Sequence, residues 1–143
     1  MNKPQFSYQT ISHLDNWEEG LYNATQEFLN NGVFSSFYLK EIVDVIHQHG
    51  PYMAITEDTV VLHAQKFDYV NTPFIAYLYA ENSVHFFGKH IHHIFVFGAD
   101  NEPNHLTLLS TISFFISELK DNHTLKSEDA MIKWLHNHIK ERS

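Results

Sequence analysis

The chain has 143 residues, 43% of them apolar and 15% aromatic, which supports a packed core of one domain spanning residues 1–143. Charged residues reach only 18% and no long stretch lacks hydrophobes, so a disordered chain is excluded. The net charge is −8, with 12 His, no Cys and a single Arg, Arg142; that excludes thiolate chemistry, disulfides and Cys-type metal sites, and argues against nucleic acid, which wants an Arg-rich basic stripe.

Met1–Phe6 does not lead into an apolar signal core, and no run of about 18 apolar residues occurs, so a cytoplasmic protein without membrane insertion is expected. The first clear element begins near Asp15, which has capping-box spacing to Glu18. Trp17, Leu21, Ala24, Phe28 and Leu29 then recur at helical period until Asn31-Gly32. A second helix starts after Ser35-Ser36, presents Leu39, Ile42, Val43 and Ile46, and ends at Gly50-Pro51, making an antiparallel pair with the first. The middle of the chain reads as strands: Tyr52–Thr56, Thr59–Ala64 after a turn at Glu57-Asp58, Phe74–Ala80, a turn at Glu81-Asn82, and Val84–Phe87. His92–Gly98 is a mostly apolar run suited to a central strand covered on both faces. Helical period returns at His105, with Leu106, Leu109, Ile112, Phe115, Ile116 and Leu119 on one face. Ser127 can cap a last helix with Met131, Trp134, Leu135 and Ile139. Helices, strands, helices in that order fit an α/β three-layer sandwich, a mixed central sheet with helices on both faces.

The histidine surplus admits three chemistries. A metal site would need a third ligand beyond His90 and His92, because His92 and His93 point to opposite faces of a strand, and no His-Glu-x-x-His motif occurs. His47 and His49 suit a helix end, where imidazole complements the dipole, and His136 and His138 fall on different helix faces. A serine hydrolase has no support, since no Gly-x-Ser-x-Gly elbow is present. The third chemistry is His as the nucleophile itself, which the composition leaves open without selecting it, most of the histidines being ordinary surface residues. A neutral imidazole nitrogen attacks phosphorus near neutral pH if an acceptor holds the other nitrogen.

The stretch His49-Gly50-Pro51-Tyr52-Met53-Ala54-Ile55, followed by Val60-Val61-Leu62-His63-Ala64, resembles the enzyme IIA component of the bacterial phosphoenolpyruvate-dependent sugar phosphotransferase system. The resemblance is to the mannitol/fructose superfamily and within it the ascorbate type. Asn104-His105-Leu106-Thr107-Leu108-Leu109 resembles the family's second motif, and Trp17-Glu18-Glu19 through Tyr38–Ile42 its paired helices, so the likeness spans about residues 12–135. Leu62 stands where the family usually has Pro, and Gln65 where a basic residue often follows.

The resemblance implies a phosphotransferase in which His63 accepts the phosphoryl group and His105 stabilises it, with no cofactor and no metal. Its implied partners are HPr as donor and enzyme IIB as acceptor; self-association as a homodimer is left open. The residues are compatible with those roles. His63 ends an apolar strand, a rigid support for an exposed ring. His105 follows Glu102-Pro103, which predicts a helix start with Pro103 at the first position and free N–H groups that favour an anion. The −8 charge predicts an acidic face suited to a basic partner. The alternative is a regulatory or inactive module of the same fold that senses the state of the system without feeding a transporter.

Overall fold

In the computed structural model, which describes residues 4–121, a four-stranded mixed sheet carries helices on both faces. The elements are β1 (Gln5–Ile11), α1 (Trp17–Asn30), α2 (Ser36–His49), β2 (Thr59–Leu62), β3 (Phe74–Phe86), β4 (Lys89–Gly98) and α3 (Glu102–Asp121). The strands lie in the order β1-β3-β4-β2, with β1 parallel to β3, β3 antiparallel to β4, and β2 parallel to β4.

Strand alternation divides the core into two layers. On β4, Ile94 and Val96 face α1 and α2, while Phe95 and Phe97 face α3. The same split runs through β3, where Phe74, Ala76 and Leu78 join the first layer and Ile75 and Tyr77 the second. Each such buried Val, Leu, Ile or Phe side chain contributes about 1.5–3 kcal/mol. The expected three-layer α/β sandwich and the doubly covered β4 are both present.

Local differences from the sequence reading have identifiable causes. Asn16, not Asp15, caps α1: its side chain accepts from the Glu19 N–H at 2.8 Å, and the Glu19 carboxylate accepts from the Asp15 N–H at 3.3 Å, so the box is shifted by one residue. Ser35 caps α2, which begins at Ser36, one residue earlier than expected. Tyr52–Thr56 is not a strand; Pro51–Met53 forms a 3₁₀ turn and only Ala54 bridges to Val60. Proline fixes φ in the helical range and suits that turn. The strand predicted over Thr59–Ala64 stops at Leu62.

The expected turn at Glu81-Asn82 is instead a bulge in a continuous β3, where the register to β4 shifts between Tyr79 and Val84. Asn82 serves the bulge by donating from its backbone and side chain to the Ser12 carbonyl, at 3.0 and 2.7 Å. The hairpin closes at Phe87-Gly88, both with positive φ (48° and 85°). β1 was not anticipated, although Gln5-Phe6-Ser7-Tyr8 alternates polar and aromatic residues. On α3 the buried face holds Leu108, Ile112, Phe115 and Ile116, whereas Leu106 is 58% exposed and turns away from the core. The helix expected from Ser127, with His136 and His138, lies outside the described residues.

Candidate active site

The C-terminal ends of β2 and β4 and the start of α3 meet at one end of the sheet, and both predicted site histidines lie there. The rings of His63 and His105 are 5.4 Å apart between centroids. Phe97 on β4 lies against both: His63 stacks on it at 4.8 Å and 21°, and His105 meets it at 5.0 Å. Phe67, in the loop after His63, contacts His105 from another side at 6.0 Å.

The His63 ring has one nitrogen committed. Its Nδ1 is 3.0 Å from the Val61 carbonyl oxygen. A carbonyl only accepts, so Nδ1 carries the proton and Nε2 holds the lone pair in the neutral ring. Burial pushes the His63 pKa below the usual imidazole value, the bond to Val61 opposes this, and the neighbouring His105 adds to the lowering. The unprotonated, nucleophilic form is therefore favoured at neutral pH.

His105 is 2% exposed, and its Nδ1 is buried without a hydrogen-bond partner among the described residues. Burial lowers its pKa, and the nearby Glu102 partly offsets this. An orphaned buried polar atom costs about 1–3 kcal/mol, which marks a place where a ligand has something to satisfy.

The start of α3 differs from the expectation. Glu102 is the first helical residue, so Pro103 sits second rather than first. The Asn101 side chain takes the Asn104 N–H at 2.8 Å, and the Asn101 carbonyl takes the His105 N–H at 3.0 Å. Pro103 has no N–H to offer. The Asn104 side chain is itself tied to Asp100 at 2.8 Å, adding a carboxylate beside the helix start.

The other histidines are placed elsewhere. His90 is exposed and its ring faces that of His85 at 6.5 Å; His92 Nδ1 donates to the Ala80 carbonyl at 2.8 Å. His93 is buried against Tyr77. No cluster of three metal-ligating side chains occurs among the described residues. Three residues of the site were not singled out in the sequence: Phe97, Phe67 and Tyr38. Tyr38 is fully buried on α2 and its hydroxyl meets backbone groups of Ala64 and Phe97. A Tyr at a helical core position needs a partner for its hydroxyl, and that was the available signal.

A family model described as "Phosphoenolpyruvate-dependent sugar phosphotransferase system, EIIA 2" matches residues 7–138. The chain belongs to this EIIA 2 family. Solved structures of the same fold include a Streptococcus mutans protein assigned as a PTS IIA, 15% identical with a TM-score of 0.76 over 92% of this chain and 88% of that one. The mannitol-specific cryptic phosphotransferase enzyme IIA of Escherichia coli is 18% identical, with a TM-score of 0.73 over 92% and 90% of the two chains. An E. coli complex of mannitol enzyme IIA with phosphorylated mannitol enzyme IIB matches at 14% identity and a TM-score of 0.73, covering 92% and 94%. A comparison with curated protein sequences finds no match. Membership of the EIIA 2 family carries a phosphotransfer role within the sugar phosphotransferase system. Among the described residues, no helix is long and apolar enough to cross a membrane.

Proposed function

We propose that this EIIA 2 protein is a cytoplasmic phosphocarrier, a single domain over residues 1–143. In it His63 accepts a phosphoryl group from phospho-HPr and passes it to an enzyme IIB during sugar uptake. One observation carries the reading: two imidazoles 5.4 Å apart, one with Nδ1 committed to a carbonyl and the other with an orphaned buried nitrogen. The lone pair on His63 Nε2 attacks the donor phosphorus. A new N–P bond forms as the donor's N–P bond breaks, and its electron pair returns to the donor imidazole. The Val61 carbonyl stabilises the Nδ1–H of the ring as positive charge develops. An N–H of His105 donates to a phosphoryl oxygen, stabilising charge in a site partly shielded from water by Phe67 and Phe97. Reversal of the same step, with enzyme IIB as acceptor, empties the site.

Acidic groups flank His105, at Asp100 and Glu102, and Lys66 follows His63 in the next loop. This supports docking of a basic donor surface by the α3 side. Within the superfamily, Gly50-Pro51-Tyr52 favours the ascorbate type.

The test is incubation with phosphoenolpyruvate, enzyme I and HPr, followed by intact-mass measurement. One acid-labile phosphoryl group is expected on the wild type. No gain, under conditions where a known enzyme IIA is phosphorylated, refutes the reading. A second reading, a regulatory module, is favoured by Leu62 and Gln65, which depart from the family pattern. It predicts acceptance without onward transfer to any cognate enzyme IIB.

A further inference from the structure

We propose that Tyr38 is a positioning residue for His63, its hydroxyl replacing the sheet partner that the chain loses after Leu62. The inference rests on His63 as the phosphoryl acceptor. The β2–β4 ladder ends at the pair Leu62–Val96, one residue before His63. Ala64, one residue after it, is nevertheless buried at 5% exposure. A buried N–H beyond the end of a ladder needs another acceptor.

Tyr38 supplies it. The Ala64 N–H donates to the Tyr38 hydroxyl oxygen at 3.0 Å. The same hydroxyl lies 2.7 Å from the Phe97 carbonyl and 3.0 Å from the Ala64 carbonyl. A phenol has one proton to give, so the nearer carbonyl of Phe97 takes it and that of Ala64 shares it. One side chain of α2 thus ties the backbone just after His63 to the end of β4.

The tie fixes what the chemistry uses. His63 is held from both sides, by the ladder through Leu62 and by the phenol through Ala64. Phe97, whose carbonyl Tyr38 holds, is also the ring on which His63 stacks. Rotation of the backbone at His63 swings the imidazole off Phe97 and away from the Val61 carbonyl, and with that bond goes the preference for a lone pair on Nε2. The fit is close: a Cβ added at Gly98, next to Phe97, would lie 3.0 Å from Tyr38 Cε2 and 2.6 Å from Phe74 Cε1. Burial pushes the Tyr38 pKa upward, so the hydroxyl stays a donor.

Tyr38→Phe removes the hydroxyl and keeps the ring. Nitrogen NMR of the unphosphorylated protein reads the His63 tautomer: wild type gives the Nδ1–H form, and Tyr38→Phe gives a mixture of both. Phosphoryl acceptance from phospho-HPr loses about 10- to 100-fold in kcat, the scale expected for a slightly misplaced nucleophile. KM stays within about twofold, because the docking surface is untouched. Thr25→Val is the control for stability alone. It deletes another buried hydroxyl bond, from Thr25 to the Leu21 carbonyl at 2.8 Å on α1, and both readouts stay at wild-type values. Fluorotyrosine in place of Tyr38 alters the acidity of the hydroxyl without removing it, and shifts the His63 nitrogen signals even if Tyr38→Phe does not fold.

An unchanged tautomer and rate in Tyr38→Phe overturns the proposal, as does Thr25→Val reproducing both changes, or fluorotyrosine leaving the His63 signals unmoved. If the wild type takes up no phosphoryl group, the phosphocarrier reading fails on its own. The tautomer measurement then still decides whether Tyr38 positions the ring.

Discussion

His63 and His93 lie on the α3 side of the same sheet, toward opposite ends, and their surroundings differ in one decisive respect. His93 has a polar side chain beside each ring nitrogen. Its Nδ1 is 2.5 Å from the Tyr77 hydroxyl, and its Nε2 faces the Asp58 carboxylate at 3.8 Å. Asp58 is anchored in turn: its carboxylate accepts from the Thr56 and Thr59 hydroxyls at 2.9 and 3.1 Å, and its backbone carbonyl accepts from the N–H groups of His92 and His93. Burial pushes the Asp58 carboxyl up, but the Thr56 bond, the charge of His93 and the Thr59 bond outweigh it and leave the pKa lowered. His63 has one nitrogen engaged, and Nε2 has no hydrogen-bond partner among the described residues. A ring set between a hydroxyl and a carboxylate suits a structural histidine. Under the proposed function, a histidine bonded on one side with a second imidazole 5.4 Å away is the one that carries the group.

The comparison breaks if the two histidines can be exchanged in function. His63→Ala is expected to abolish phosphoryl acceptance, while His93→Gln keeps the acceptance rate within about threefold, measured below the melting temperature of each variant. Loss of activity in both would mean that the far end of the sheet takes part in transfer. His105→Ala comes next: acceptance on His63 persists and onward transfer slows about 100-fold, the scale of one lost oxyanion donor. Unaltered transfer removes His105 from the mechanism.

Tyr77→Phe probes the structural side. It leaves His93 Nδ1 buried with no hydroxyl beside it and is expected to cost about 1–3 kcal/mol in chemical denaturation, with the acceptance rate unchanged. The smallest effect is in pH dependence. Because the His63 pKa is lowered, acceptance stays above half its maximum at pH values just below about 6.5, where an ordinary imidazole is more than half protonated. The linked stability has a definite sign. Folded-state values lowered for His63 and His105 mean that the unfolded chain binds more protons below about 6.5. Stability is therefore full above that pH and falls as the pH drops toward the folded-state values. Replacing both histidines by Ala flattens that fall; an unchanged slope in urea titrations at pH 5 and 7 contradicts it.

The sequence was legible where periodicity and local chemistry agree. α1 and α2 carry apolar stripes bounded by Asn16 or Ser35 and by Gly32 or Gly50, so their limits were readable to within a residue or so. β4 was readable as central because Ile94–Phe97 is apolar on both faces. β1 was missed because its edge position leaves Gln5, Ser7, Gln9 and Thr10 polar, and only pairing with β3 makes it a strand. Glu81-Asn82 looked like a turn because such residues favour turns; a bond to Ser12, remote in sequence, makes it a bulge instead. The meeting of His63 and His105 was anticipated through family resemblance, since they are 42 positions apart and nothing local joins them. The bonds of Tyr38 to Ala64 and Phe97 were invisible, because they exist only once α2, β2 and β4 are packed.

The most direct measurement is location of the phosphoryl group. Wild-type protein phosphorylated by phospho-HPr is digested at alkaline pH, where phosphohistidine survives, and mapped by tandem mass spectrometry. A single phosphoryl group on His63, with none on His93 or His105, is the predicted result. A group on any other residue, or an unmodified His63 in protein that has gained the mass, contradicts it.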